Sequence, residues 1–196
     1  MEPVPVFVDS PLAVNATEVY RLHPECFNKE IYEYLMSEGN PFEAANVSYI
    51  RDVSQSKKLN AIKGPLMIIS ASGMAEAGRI LHHLKNNISD PNNLILFMGY
   101  CADYTLGAKI RNGQSPVNIF GEPHEVRAKV ASLDSFSGHA DKNELIAHAG
   151  RVKGFLKKIF ITHGEEAAAL AFGETLKKIR PNAEVIVPIK GQKEEM

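Results

Sequence analysis

The chain has 196 residues, of which 44% are apolar and 23% charged, and a formal net charge of −1. These values describe an ordinary globular protein long enough for a real core, in one domain or two small ones. They exclude the strongly basic surface of a bulk nucleic-acid binder, while leaving room for a local basic groove. No apolar run approaches the ~20 residues of a membrane-spanning helix. The opening MEPVPVFVDSPLA lacks both the basic and the long apolar region of a signal peptide. Cys26 and Cys101 make neither a disulfide framework nor a CxxC knuckle, so a reducing, cytoplasmic location is expected.

In chain order, residues 4–9 (VPVFVD) read as a buried strand ending at a Ser-Pro turn. Residues 12–36 carry helical spacing up to the Asn40-Pro41 break. Further strands are predicted at 66–70 (LMIIS), 93–99 (NLILFMG), 117–121, 128–133, 158–162 (KIFIT) and 184–187 (EVIV). Helical candidates lie at 75–85, 142–152 and 165–179, with apolar residues three and four apart. Strand-then-helix alternation predicts a layered α/β fold, with a mostly parallel sheet and helices on both faces. Ligands of such sheets sit at the carboxyl ends of strands. That rule singles out Asp9 and the segments 70–73, 99–102, 134–141 and 163–165. The tail GQKEEM reads as a frayed end.

Three of these segments could carry chemistry. Ser70-Ala71-Ser72-Gly73-Met74 follows a strand and leads into a helical stretch. Its small residues let a backbone approach an anion, and the hydroxyls of Ser70 and Ser72 add donors. The same segment also reads as a plain tight turn with Ser72 as a helix cap. It matches neither GxGxxG nor the Walker pattern, and SASG is not the GxSxG of a serine hydrolase. Asp134 to Asp141 (DSFSGHAD) crowds two carboxylates, two hydroxyls and His139 into a strand end, as general acid–base work requires. Its simpler reading is an N-cap at Asp141 before KNELIAHAG. Thr162-His163-Gly164-Glu165 places His163 where a neutral imidazole can ligate a metal, or serve as a structural histidine with Glu165 capping the next helix. His82 and His83, adjacent in a helix, cannot converge on one ligand, and His23, His124 and His148 have no partner at metal spacing.

Taken together, VFVDSPLA, SASGMAEAGRILHHL, LFMGYCADYTLGAKI, VNIFGEPHEVRAKV, SFSGHAD and ITHGE resemble, in order, the β-CASP branch of the metallo-β-lactamase superfamily. These are RNA nucleases related to RNase J and to the endonuclease subunit of the cleavage and polyadenylation machinery. The resemblance covers nearly the whole chain. It implies that residues 1–127 are the C-terminal part of a β-CASP domain and 128–196 the last strands and helices of a metallo-β-lactamase domain. It gives His139 a contact with the scissile phosphate and the role of candidate proton donor, and it gives His163 the role of zinc ligand. Ser70, Ser72, Gly73, Ser137, Gly138 and His139 become the cradle for RNA phosphates. The family's acidic motif lies upstream, so Asp9 receives no such role.

The defining HxHxDH metal motif is absent from the chain. The resemblance therefore implies a fragment of a longer enzyme that holds two zinc ions. This piece would supply one ligand, His163, would bind zinc weakly or not at all, and would be inactive alone. The leading expectation is a zinc-dependent ribonuclease whose substrate is single-stranded RNA and whose missing partner is the N-terminal lactamase part. The alternative is a non-catalytic RNA-binding or scaffolding module descended from such a nuclease; a third reading is a nucleotide-binding protein using residues 70–73. No membrane association is expected. Apolar surface on a severed domain would favour self-association, a homodimer being one outcome.

Overall fold

The computed structural model describes residues 3–136 and 138–195; Ser137, a predicted phosphate contact, lies outside the described residues. The chain forms two compact units, Met1–Ser137 and Gly138–Met196. Every apolar run predicted as a strand contains one, and helices follow most of them.

In the first unit β1 (Val6–Val8) is the centre of a parallel sheet of order β2-β1-β3, with β2 at Val47–Tyr49 and β3 at Met67–Ile69. Val6 lies opposite Val47 on one side and Met67 on the other. β4 (Leu94–Met98) pairs in parallel with β7 (Lys129–Leu133). β5 (Val117–Ile119) and β6 (Glu122–His124) form an antiparallel hairpin. Its two-residue tip, Phe120-Gly121, has φ of 52° and 80°, the left-handed pair that suits the twist of a short hairpin. In the second unit β8 (Lys158–Phe160) pairs in parallel with β9 (Glu184–Ile186). The protein is thus a mixed α/β chain with mostly parallel strands.

The helical stretch predicted over 12–36 is two helices, α1 (Pro11–Leu22) and α2 (Lys29–Ser37), separated by the 3-10 turn Pro24–Cys26. Pro24 lacks an N–H and its ring clashes with the preceding turn, so α1 stops just before it. Each helix has its own cap: the Ser10 side chain accepts from the Ala13 N–H, and that of Asn28 from the Ile31 N–H. β2, β6, α3 (Val53–Leu59) and α5 (Leu106–Arg111) are elements that periodicity did not predict. Each is short, and α3 reads VSQSKKL with only Ser56 and Leu59 buried. α4 starts at Ile80 and runs to Asn87, so 75–79 is not helical and Ser72 is not its cap.

The core of this unit gathers α4, β4, α5 and β5: Leu84, Ile88, Phe97, Ile110 and Ile119 are all buried, Ile88 and Ile110 completely. Met67 and Ile69 on β3, and Leu94, Leu96 and Met98 on β4, alternate to an exposed side. In the second unit α6 (Lys142–Arg151) and α7 (Glu166–Ile179) accompany the β8–β9 pair. The Arg180 guanidinium closes the end of α6 by donating to the carbonyls of Ala149, Gly150 and Val152 at 2.6–3.1 Å. A Cβ at Gly173 would meet Ile161 Cδ1 at 3.4 Å and Val185 Cγ1 at 3.8 Å, ordinary contact distances that place this face of α7 against the β8–β9 layer. Among the described residues no helix is long and apolar enough to cross a membrane.

One polar cluster ties the first sheet to its helices. Asp9, immediately after β1, is fully buried. Its carboxylate accepts hydrogen bonds of 2.6 Å from Ser56 Oγ of α3, from Arg79 Nη1 and from His83 Nε2 of α4. Arg79 and His83 reach it together because they stand four residues apart, on one helical face. Arg79 also donates to the carbonyls of Ile50 and Arg51, at 3.1 and 2.6 Å, beyond the end of β2. Burial pushes the Asp9 carboxyl upward, but the hydrogen bonds from Ser56, His83 and Arg79, with the charge of Arg79, outweigh it and hold it below its ordinary value.

Asp9→Asn removes the fully buried counter-charge of the partly buried Arg79, and the expected loss is about 3–5 kcal/mol of folding stability. Urea unfolding of wild type and variant measures it; a loss below about 1 kcal/mol contradicts a structural role for the charge. The same carboxylate sets a pH dependence. Its contribution is complete above the ordinary value near 3.8 and drains away as the pH falls through the lowered native value. Acid unfolding should therefore be steeper in wild type than in Asp9→Asn.

Candidate functional site

The turn after β3 is built by contacts on several sides. At its start the Ser70 hydroxyl donates to the Asp9 carbonyl at 2.9 Å, and the Asp9 N–H donates to Ile69. Ser70 therefore fastens the turn to the buried cluster, and its hydroxyl proton is engaged. The chain then folds back on itself: the Ser72 N–H donates to Ala77 and the Ala75 N–H to Ser72. Ala75 is buried in left-handed geometry, with φ of 54°. Gly78, at φ of 90°, is required by contact as well as conformation, because a Cβ there would lie 2.7 Å from the Ala71 carbonyl oxygen.

The far side of the turn is pinned from the β4–α5 segment. The Gly107 N–H donates to Met74 O at 2.9 Å, and the Leu106 N–H donates to Glu76 Oε1 at 2.5 Å. A Cβ at Gly107 would come within 2.9 Å of Met74 O. The Cys101 thiol donates to Gly73 O at 3.3 Å. Burial pushes that thiol upward against the opposing charge of Arg111, so it stays protonated and remains a donor. Arg111 in turn binds Gly99 O at 2.8 Å and Asp134 at 3.0–3.1 Å, joining the carboxyl ends of β4 and β7. Against this fixed frame the residues between the pins, Ala71, Ser72 and Gly73, face solvent. Among the described residues the Ser72 hydroxyl and the Gly73 N–H make no hydrogen bond, which leaves two adjacent donors available to an anion.

The second unit carries Gly138, His139 and His163. Asp141 is the N-cap of α6 and forms a capping box: its carboxylate accepts from the Glu144 N–H at 2.8 Å, and the Glu144 carboxylate accepts from the Asp141 N–H at 2.9 Å. The simpler reading of Asp141 is therefore correct, and its carboxylate serves the helix. His139 lies exposed just ahead of this cap. His163 follows β8 in left-handed geometry, φ 62°, which is uncommon for a residue with a side chain. Such strain is found where a loop aims a side chain at a site. His163 lines a cavity of about 620 Å3 together with Thr162, Phe160, His148, Lys142 and Phe172. Glu165 occupies the N-cap position of α7.

Arg79 and His83 escaped the sequence reading. The usable signal was their four-residue spacing opposite a carboxylate that ends a buried strand, since such a carboxylate needs cationic partners.

A zinc site needs three or four converging N, O or S ligands. Among the described residues no group of three or more His, Cys, Asp or Glu side chains is placed to hold an ion. These residues do not by themselves fit a zinc site: His163 shares its cavity with His148, without a third ligand among the described residues.

Comparison with known proteins matches two family models to the chain. The Beta-Casp domain matches residues 1–110, and the Zn-dependent metallo-hydrolase RNA specificity domain matches residues 123–195. A ribonuclease of Thermus thermophilus is 37% identical over 172 residues, which is 88% of this chain and 39% of that protein. An RNase J-like protein of Methanocaldococcus jannaschii is 31% identical over 188 residues, 96% of this chain and 42% of its own length. The transcription termination factor FttA of the same archaeon is 30% identical over 181 residues, covering 89% of this chain and 28% of the factor. The chain thus spans between 28% and 42% of these relatives. The Beta-Casp match extends over more than half of the sequence and is followed in order by the RNA specificity match, so the chain belongs to the β-CASP family of the metallo-β-lactamase superfamily.

Proposed function

We propose that this chain is the RNA-facing portion of an RNA-processing nuclease that hydrolyses phosphodiester bonds in single-stranded RNA. The observation that carries the reading is the ordered pair of family matches, joined by relatives named as a ribonuclease and an RNase J-like protein. The geometry supports it locally. Ser72 and Gly73 offer hydroxyl and backbone donors on a turn held rigid from both sides, which suits a phosphate better than a flexible loop would. Ser70 anchors that turn, and Ser137 and Gly138 are proposed as further RNA-phosphate contacts. His139 gives a proton to the leaving oxygen as the P–O bond breaks. His163 is the residue through which this chain joins the zinc site of the full-length protein, in a reducing, cytoplasmic setting that suits its free Cys26 and Cys101.

The roles of the two histidines separate in the full-length protein. His139→Ala should slow single-turnover cleavage of a short RNA by about 10²–10⁴-fold with zinc content unchanged. His163→Ala should lower zinc content and activity together. Zinc loss from His139→Ala equal to that from His163→Ala, or cleavage by His139→Ala at the parent rate, contradicts this assignment. A full-length protein that binds RNA but never cuts it would instead support the non-catalytic binding module.

The turn has its own test. Gly78→Ala adds a Cβ against Ala71 O and forces a side chain into left-handed geometry, costing roughly 1–2 kcal/mol. It should weaken binding of a short single-stranded RNA, measured by fluorescence anisotropy at fixed salt. Unchanged affinity would remove the turn from the RNA contact surface.

A further inference from the structure

The first unit contains a second concavity, beside the turn and distinct from it, with a volume of about 420 Å3. That is within the range of sites for small organic groups, about 300–1,000 Å3. Ala75 and Glu76, at the end of the turn, form one wall; the rest comes from Leu81 of α4, from Tyr104 just before α5, from α5 and the segment after it, and from the β5–β6 hairpin. Two aromatic side chains stand at it. Tyr104 is 80% exposed and Phe120 is 52% exposed. Phe120 sits at the hairpin tip with φ of 52° and is braced by the His82 ring, the two centroids 4.8 Å apart. The ring is half exposed at the hairpin tip, where the two-residue turn itself accounts for the left-handed backbone.

The polar side chains of the lining are exposed, and all but that of Glu76 have no partner among the described residues. Among the described residues neither the Gln114 nor the Asn118 side-chain amide makes a hydrogen bond, and no carboxylate pairs with the Lys109 ammonium. Glu76 already uses one carboxylate oxygen to accept from the Leu106 N–H. The cavity therefore presents two aromatic platforms, two amides that can each donate and accept, and one free cation.

We propose that this cavity is a nucleobase subsite for single-stranded RNA, with a base stacked on Tyr104 and Phe120 and its edge read by Asn118 and Gln114. Lys109 takes the neighbouring phosphate. Flat π-faces with mixed donors and acceptors at the rim describe a base more closely than they describe a peptide side chain or a lipid, and the cation suits the phosphate that every nucleotide carries. The inference rests on the RNA reading above and adds to it. A site that grips a base beside a turn that grips phosphate would fix the register of the strand.

The test compares two hexanucleotides of the same ribose-phosphate backbone, one carrying bases and one abasic, each binding to the intact chain by fluorescence anisotropy. Wild type should prefer the base-bearing strand. Tyr104→Ala and Phe120→Ala should each weaken it by about 5- to 100-fold while leaving abasic affinity unchanged, and Tyr104→Phe should bind like wild type. Lys109→Gln should reduce the salt dependence of binding by about one phosphate contact. Circular dichroism and thermal unfolding identify any variant that has lost its fold; Tyr104 and Phe120 are exposed enough that both alanine variants should keep it. Equal binding of the two strands by wild type, or full affinity in the folded alanine variants, overturns the base subsite and leaves the RNA reading intact. Failure of wild type to bind either strand overturns both.

Discussion

The Asp9 carboxylate is fully buried, and a charge in that position is costly unless its surroundings replace the water it has lost. They do so here with three short hydrogen bonds, from Ser56, Arg79 and His83, one of them carried by a fixed positive charge. The donors come from α3 and from the start and middle of α4, while the acceptor belongs to β1. Arg79 spends its remaining donors on the carbonyls of Ile50 and Arg51 after β2. A single buried group therefore sets the position of helices against a sheet whose strands are only three residues long. Such short strands make few ladder bonds, so the polar cluster takes on a larger share of the specification of the first unit.

The same residue reaches the candidate site through its backbone. The Asp9 carbonyl accepts the Ser70 hydroxyl, and the turn that follows is pinned again by Gly107, Leu106 and Cys101. The consequence is a short exposed stretch, Ala71 to Gly73, held by a rigid frame on either side. Preorganised donors of this kind cost little reorganisation when an anion arrives, which is the physical reason for reading the turn as a phosphate contact. Gly78 and Gly107 make the frame possible, since a β-carbon at either would collide with the turn's own carbonyl oxygens.

Much of this was legible in the sequence. Continuous apolar runs located all the strands but β2 and β6, and Asp141 before KNELIAHAG announced the N-cap of α6. Local proximity explains each success: caps, turns and strands are decided by neighbours in the chain. Other features depended on distant partners. Nothing near Ser56 in sequence shows that Asp9 will meet it, 47 residues away, and the Arg79–His83 spacing marks a shared helical face without identifying the carboxylate that His83 meets 74 residues away. α3 and α5 are too short and too polar or too uniformly buried to show a period. Pro24 was visible, yet the helical spacing on both sides of it masked the break that its ring enforces. The left-handed geometry of His163 and Phe120 could not be read at all, since no glycine or asparagine stands there to signal it.

We propose that the exposed turn at Ser72 and Gly73, fixed in place by the Asp9 cluster, contacts RNA phosphate directly. Backbone amide NMR spectra of the chain, recorded while a short single-stranded RNA is titrated in, test it residue by residue. The Ser72 and Gly73 amides should shift strongly and saturate with the bound fraction, while the amides of Asp9 and His83 in the buried cluster stay where they are. Saturable RNA binding that leaves the Ser72 and Gly73 amides unmoved would contradict it.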